Sequence, residues 1–114
     1  NDTYHFFTKE QFNLMNRDAV FINIGRGKTV CQQDLLEVLQ NKLIAHAVLD
    51  VYEEEPLDAD HPFWDMEQVT MSPHFSAITD QYQPRAIAIF EKNLQAYTTG
   101  ETLFANKIDL DRGY

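Results

Sequence analysis

The sequence predicts an α/β fold built on a short parallel sheet, and three observations carry this prediction. Two short apolar runs, at 19–24 and 43–51, are typical of strands buried on both faces of a parallel sheet. An amphipathic helix is expected between them, and the order strand, helix, strand predicts a right-handed crossover unit. The length of 114 residues is that of one domain.

Two helices are predicted in the first half of the chain. Thr8 and Gln11 have the spacing of a capping box, which predicts that a short helix begins within 8–16. The second helix is predicted over 32–41, where four apolar side chains share one helical face: Leu35, Leu36, Val38 and Leu39.

The second half of the chain predicts an acidic loop, a third strand and one long helix. Acids and prolines break the strand pattern over 52–66, which is typical of a loop. Residues 69–72 predict a third strand that Pro73 ends, because proline cannot donate to a strand ladder. Apolar residues recur every three or four positions over 84–97, which predicts an amphipathic helix that Gly100 stops.

Composition excludes several classes of protein. Nine basic against 18 acidic residues give a net charge of −9, which would repel a nucleic-acid backbone. A hydrophobic content of 44% is too high for a disordered chain. The single cysteine, Cys31, excludes a disulfide within one copy and favours an intracellular location. We expect no metal site and no membrane span. The chain begins with Asn1 rather than methionine, and we expect it to be a fragment.

Candidate functional residues follow the ends of the predicted strands. In open α/β sheets, ligands bind beyond the carboxyl ends of the strands. Gly25 and Gly27 resemble part of a dinucleotide loop, but the third glycine position is Val30 and the helix begins too late. Arg26 could instead bind a carboxylate through its guanidinium while the glycines admit a ligand; the alternative is a solvated surface turn.

His74 follows the third strand and is a candidate acid or base. Such a histidine is often oriented by a carboxylate, and Glu53, Glu54 and Glu55 are candidates for that role. The alternative is a histidine paired within a turn. Trp64 could form the wall of a pocket or belong to a small core beneath the loop.

Three motifs together resemble the D-isomer-specific 2-hydroxyacid dehydrogenases, such as glyoxylate/hydroxypyruvate reductase or phosphoglycerate dehydrogenase. They are I-N-I-G-R-G at 22–27, L-D-V-Y-E-E-E-P-L at 49–57 and S-P-H at 72–74. The resemblance implies the C-terminal half of a Rossmann-like doubly wound parallel sheet. It assigns 1–83 to the second half of an NAD(P)-binding domain. A long return helix and a tail, at 84–114, would pack on the missing substrate domain.

The resemblance also implies roles for individual residues. Arg26 would bind the substrate carboxylate, His74 would act as acid and base, and Glu55 would orient His74 and favour its imidazolium form. The residues implied at the cofactor are Ile24, Gly25, Arg26, Asp50, His74 and Ser76. The segments 106–109 and 112–114 resemble the tail of the family.

The activity implied is hydride transfer between NAD or NADP and a small 2-oxo or D-2-hydroxy acid. The resemblance further implies a cytoplasmic homodimer when the parent protein is intact, with no nucleic-acid or membrane partner. The fragment alone is predicted to be inactive, since the glycine-rich phosphate loop and most of the substrate domain are missing. The alternative is an NAD-sensing, protein-binding module like the corepressors of this family.

Overall fold

The structure is a computed structural model that describes residues 3–102 and 104–111. Its helices and strands are α1 (Lys9–Phe12), β1 (Val20–Asn23), α2 (Gln32–Gln40), β2 (His46–Leu49), β3 (Val69–Met71) and α3 (Tyr82–Thr99). The described residues fall into two compact units, Asn1–Ser76 and Ala77–Tyr114. The predicted tail segment at 112–114 lies outside the described residues.

The three strands form one parallel sheet in the order β1-β2-β3. Asn23 of β1 pairs with Leu49 of β2, and Leu49 pairs with Met71 of β3. The strands therefore end in register, and the residues that follow them share one edge of the sheet. The predicted α/β class and its parallel sheet are confirmed.

One hydrophobic core joins α1, α2 and one face of the sheet. The four side chains predicted on one face of α2, at positions 35, 36, 38 and 39, are all buried in it. Phe12 of α1 meets Phe21 of β1 edge to face, with ring centroids 5.0 Å apart. The amphipathic pattern of α2 thus predicted its buried face correctly.

The prediction that the first strand is buried on both faces is wrong for this chain. Phe21 and Asn23 are buried, whereas Val20 and Ile22 are 53% and 61% exposed. The apolar content of β1 is high on both faces, but the hydrophobic core covers only the face that carries Phe21. An apolar run shows that both faces of a strand could be buried. The second face is buried only where another layer of structure packs against it.

Helix boundaries largely follow the predicted signals. The Thr8 backbone N–H donates to Gln11 Oε1 over 2.9 Å, as the capping box at the start of α1 requires. Helix α3 begins two residues earlier than predicted, and Gly100 ends it with a left-handed φ of 76°. Within the described ranges, none of the helices combines the length and apolar character that crossing a membrane would need.

Candidate active site

Close packing against a neighbouring backbone segment explains why position 27, in the loop after β1, is a glycine. A Cβ atom placed on Gly27 would lie 1.7 Å from the Tyr52 carbonyl oxygen, whereas one on Gly25 would meet only Asn23 Oδ1, at 3.7 Å. The expectation that both glycines admit a ligand is therefore wrong for Gly27, whose bare Cα accommodates the chain after β2. Helix α2 begins only at Gln32, in agreement with the absence of a complete dinucleotide loop.

Arg26 lies at the tip of this loop and is exposed. Its Nη1–H donates to the Gly25 carbonyl oxygen over 2.9 Å. Arg26 is not among the residues that line the cavity beside His74. The structure thus shows Arg26 in an exposed turn at the carboxyl edge of the sheet, and its contact with a substrate carboxylate stays a prediction.

Of the three candidate glutamates, the structure brings Glu55 to His74, as the family resemblance implied. His74 Nδ1 lies 2.8 Å from Glu55 Oε2, and the Tyr52 backbone N–H donates to Glu55 Oε1 over 3.0 Å. The hydrogen bond from His74, followed by the one from Tyr52, holds the pKa of Glu55 below its usual value. Both carboxylate oxygens are occupied, so Glu55 presents an ionised, fixed acceptor to the imidazole.

The Asp50 carboxylate anchors the loop that carries His74. Asp50 is buried, and Oδ1 accepts from the Ser72 hydroxyl over 2.5 Å and from the Phe75 N–H over 3.0 Å. Oδ2 accepts from the Ser76 N–H over 2.9 Å. His74 itself has a left-handed φ of 54°, which is uncommon for residues other than glycine. The hydrogen bonds on either side of His74 stabilise this backbone conformation.

Replacing Asp50 with asparagine is expected to lower the thermal stability of the chain and to flatten its dependence on acid pH. The hydrogen bond from Ser72, with those from Ser76 and Phe75, lowers the pKa of Asp50 well below its ordinary value of 3.8. A lowered folded-state pKa gives a stabilisation that is fully present above pH 3.8 and is lost as the pH falls below it. Thermal unfolding from pH 7 downwards measures both effects. An identical pH dependence in Asp50→Asn and the unmodified chain would contradict this role.

A cavity of 420 Å³ opens beside the Glu55 and His74 pair. Six of its lining residues present apolar surface: Tyr52, Pro56, Leu57, Trp64, Met71 and Pro73. Glu55, Ser72 and His74 complete the lining. Trp64 therefore forms a wall of a pocket, one of its two predicted alternatives, and the neighbouring Phe63 belongs to the core.

Two features of this site were not predicted from the sequence. The first is the Tyr52 hydroxyl, which lies 3.1 Å from the Leu49 carbonyl oxygen and 3.2 Å from the Ser72 carbonyl oxygen. The position of Tyr52 shortly after the end of β2 is the signal that could have identified it. The anchoring by Asp50 relies on two backbone amides, so no pattern of residue types reveals it. Among the described residues, no group of three or more potential ligands could hold a metal ion.

Four of the residues that the resemblance implies at the cofactor, Ile24, Gly25, Asp50 and Ser76, lie at the carboxyl edge of the sheet. Ile24 is exposed directly after β1, and a Cβ atom on Gly25 would be in ordinary van der Waals contact with Asn23 Oδ1, at 3.7 Å. Asp50 and Ser76 lie at the same edge but bind each other, so the structure assigns them an anchoring role. Their predicted contact with a cofactor stays a prediction.

Comparisons with known proteins identify the family of this chain. Residues 1–76 match the model of the NAD-binding domain of the D-isomer-specific 2-hydroxyacid dehydrogenases. A glyoxylate reductase of Korarchaeum cryptofilum is 37% identical over 100 residues, which cover 88% of this chain and 30% of that protein.

Solved structures show the same fold. A D-isomer-specific 2-hydroxyacid dehydrogenase of Xanthobacter autotrophicus, in complex with NADPH and MES, superposes with a TM-score of 0.87 at 34% identity, covering 99% of this chain and 46% of that one. An NADPH-dependent glyoxylate/hydroxypyruvate reductase of Sinorhizobium meliloti, with NADP and sulfate, gives 0.85 at 32% identity, covering 99% and 36%.

The chain spans about a third of the length of the curated relatives it matches. Its parallel sheet, its three motifs at the strand ends and the family match over two thirds of its residues agree with one another. This chain belongs to the D-isomer-specific 2-hydroxyacid dehydrogenase family and contains part of its NAD-binding domain.

Proposed function

We propose that the chain is the C-terminal part of an NAD(P)H-dependent reductase of small 2-oxo acids. The observation that carries this proposal is the 2.8 Å contact between His74 Nδ1 and Glu55 Oε2 at the carboxyl edge of the sheet. The names of the relatives, glyoxylate and hydroxypyruvate reductases, support the same activity.

His74 is proposed to exchange the proton with the substrate oxygen. An ionised carboxylate can only accept a hydrogen bond, so the His74 Nδ1 atom that faces Glu55 carries a proton. The Nε2 atom is then the ring nitrogen that delivers a proton to the carbonyl oxygen as negative charge develops there. Glu55 fixes the ring orientation and stabilises the imidazolium, which reverts to imidazole after the transfer.

Arg26 is proposed to bind the carboxylate of the substrate. It is exposed beyond β1, at the same sheet edge as the segment that carries His74. Its guanidinium Nη1 donates to the neighbouring Gly25 carbonyl oxygen, which leaves other guanidinium N–H groups for two parallel bonds to a carboxylate. Binding there would also polarise the adjacent carbonyl group.

The residues present fit a nicotinamide cofactor at Ile24 and Gly25, because Ile24 is exposed and Gly25 carries no side chain that would stand between the backbone and a ligand. The reduced nicotinamide, when bound, supplies the hydride that the carbonyl carbon accepts. The two solved relatives hold NADPH and NADP, which supports NADP as the cofactor, with NAD as the alternative.

We also propose that 1–83 completes an NAD(P)-binding domain, that 84–114 joins a substrate domain, and that the intact protein is a cytoplasmic homodimer. The coverage of about a third of each relative supports the larger protein. A molecular mass measured in solution would test the dimer.

The activity is tested by comparing the full-length protein with residues 1–114 alone. The full-length protein is expected to oxidise NADPH when glyoxylate is added, measured by the loss of nicotinamide absorbance. The chain of 114 residues is expected to show no turnover with either cofactor, since its residues supply no glycine-rich phosphate loop. Turnover by the short chain would contradict the assignment of a partial site, and a full-length protein inactive with every 2-oxo acid would contradict the function.

A further inference from the structure

The three consecutive glutamates of the acidic loop have three different environments. Glu55 pairs with the candidate acid, and Glu54 is exposed. The Glu53 side chain is only 25% exposed, and both of its oxygens have partners. Oε1 lies 2.6 Å from His5 Nε2, and Oε2 accepts from the Gln32 backbone N–H over 3.2 Å. The residue two positions before Glu55 is therefore bound to two other parts of the chain.

The contact between Glu53 and Gln32 is reciprocal. The Glu53 N–H donates to Gln32 Oε1 over 3.1 Å, while the Glu53 carboxylate accepts from the Gln32 N–H. Gln32 is the first residue of α2, whose buried face packs in the core, so this partner is held firmly. A carboxylate at a helix N-terminus is also stabilised by the helix dipole. The Tyr52 carbonyl, at the other end of the same peptide group, packs closely against Gly27. The peptide group between Tyr52 and Glu53 is thus held at both ends.

His5 reaches Glu53 from the first segment of the chain. The backbone of that segment is fixed, because the His5 N–H donates to the Lys28 carbonyl oxygen over 2.9 Å. The Phe7 N–H donates in the same way to the Thr29 carbonyl oxygen over 3.0 Å. A carboxylate only accepts hydrogen bonds, so the His5 Nε2 atom that faces Glu53 carries a proton.

Other titratable groups share a pocket of about 220 Å³ with Glu53. Glu54 and Asp58 are acidic, and burial lowers the pKa of His61, which favours its neutral form. His5 contacts the Glu53 carboxylate directly, at 2.6 Å. The hydrogen bond from His5 therefore opposes the repulsion between Glu53 and its acidic neighbours.

We propose that Glu53 is a positioning residue, which fixes the segment that presents Glu55 to His74. The inference rests on the proposed reductase activity and adds a residue that acts through another. Tyr52 links the two glutamates, because its N–H donates to Glu55 Oε1 over 3.0 Å while its carbonyl belongs to the peptide group that Gln32 holds. A shift of that peptide group moves the donor that orients Glu55, and with it the carboxylate that stabilises the His74 imidazolium.

The test compares Glu53→Ala with Glu54→Ala in the full-length protein, with glyoxylate as substrate. Glu53→Ala is expected to lower kcat by about tenfold, because Glu55 is no longer held in place. The KM for NADPH is expected to change by less than about twofold, since the residues proposed at the cofactor are not altered. The alkaline decline of kcat is expected at lower pH, because a displaced Glu55 stabilises the imidazolium less. Glu54→Ala is the matched control, since Glu54 is exposed.

Two milder variants keep the test valid if Glu53→Ala does not fold. Glu53→Gln retains an oxygen that can accept hydrogen bonds, and it is expected to keep most of the turnover. His5→Asn tolerates the left-handed φ of 48° at position 5, but its side chain is too short to reach Glu53. We expect it to change kcat and the pH profile in the same direction as Glu53→Ala, to a smaller extent.

A second measurement does not depend on turnover. In full-length protein with isotopically labelled histidine, the NMR resonance of His74 Nδ1 at fixed pH is expected to move in Glu53→Ala and to stay in place in Glu54→Ala, because Nδ1 faces Glu55. A resonance and a pH profile unchanged by Glu53→Ala and by His5→Asn would overturn the positioning role, whatever their effect on thermal stability. If the unmodified protein reduced no 2-oxo acid, the proposed function would be overturned, whereas a displaced Nδ1 resonance would still support the positioning of Glu55 by Glu53.

Discussion

In the full-length protein, His74→Asn is expected to lower the turnover of glyoxylate by about 10²- to 10⁴-fold while cofactor affinity is largely retained. The variant removes the group that donates the proton and leaves the fold unchanged for two reasons. The His74 side chain is 50% exposed, so little packing is lost. Asparagine also tolerates the left-handed backbone better than most residues, and position 74 has a φ of 54°.

Steady-state kinetics and a cofactor titration measure the two quantities separately. The matched control is His46→Asn, since His46 lies on β2 and its Nε2 contacts Thr70 Oγ1 over 2.9 Å, away from the cavity. The control is expected to keep its turnover. If His74→Asn turned glyoxylate over as fast as this control, a proton-transfer role for His74 would have to be abandoned.

Gly27→Ala is expected to destabilise the chain by about 3 kcal/mol, a large share of the stability of a domain this size. The new Cβ would lie 1.7 Å from the Tyr52 carbonyl oxygen and 2.6 Å from the Glu53 backbone nitrogen. Both are main-chain atoms, so no side-chain rotation relieves the clash. The segment after β2 must move, and with it the Tyr52 N–H that holds Glu55.

Urea unfolding of the 114-residue chain measures this cost. Gly25→Ala is the matched control, since its Cβ would have 3.7 Å to its nearest neighbour, Asn23 Oδ1. We expect the control to unfold near the urea concentration of the unmodified chain. Equal midpoints for the two glycine variants would show that the loop does not pack as closely as the structure indicates.

Local signals in the sequence predicted most of the fold. The apolar runs that became β1 and β2, the helical face of α2 and the stop at Gly100 depend on neighbours within a few residues. The exposure of Val20 and Ile22 could not be predicted this way, because burial depends on whether another layer is present.

The candidate site was predicted where a motif fixed the residue type. The residue types left Glu53, Glu54 and Glu55 as candidate partners of His74, and the family resemblance selected Glu55, whose Oε2 lies 2.8 Å from His74 Nδ1. Gly27 packs against main-chain atoms of Tyr52 and Glu53, which are distant along the chain. Asp50 accepts from the backbone N–H groups of residues 75 and 76, which are present whatever the side chain. The guanidinium position of Arg26 is set by rotatable bonds at an exposed turn, so sequence predicts its location but not its contacts.

The anchoring of the His74 loop has a consequence for how this segment can diverge. Asp50 accepts from Phe75 and Ser76 through their backbone N–H groups, and almost any side chain leaves those donors in place. Only proline would remove one of them. Substitutions at residue 75 can therefore accumulate while Asp50 and the loop geometry persist, so the backbone shape around His74 can be retained after the local sequence similarity is lost.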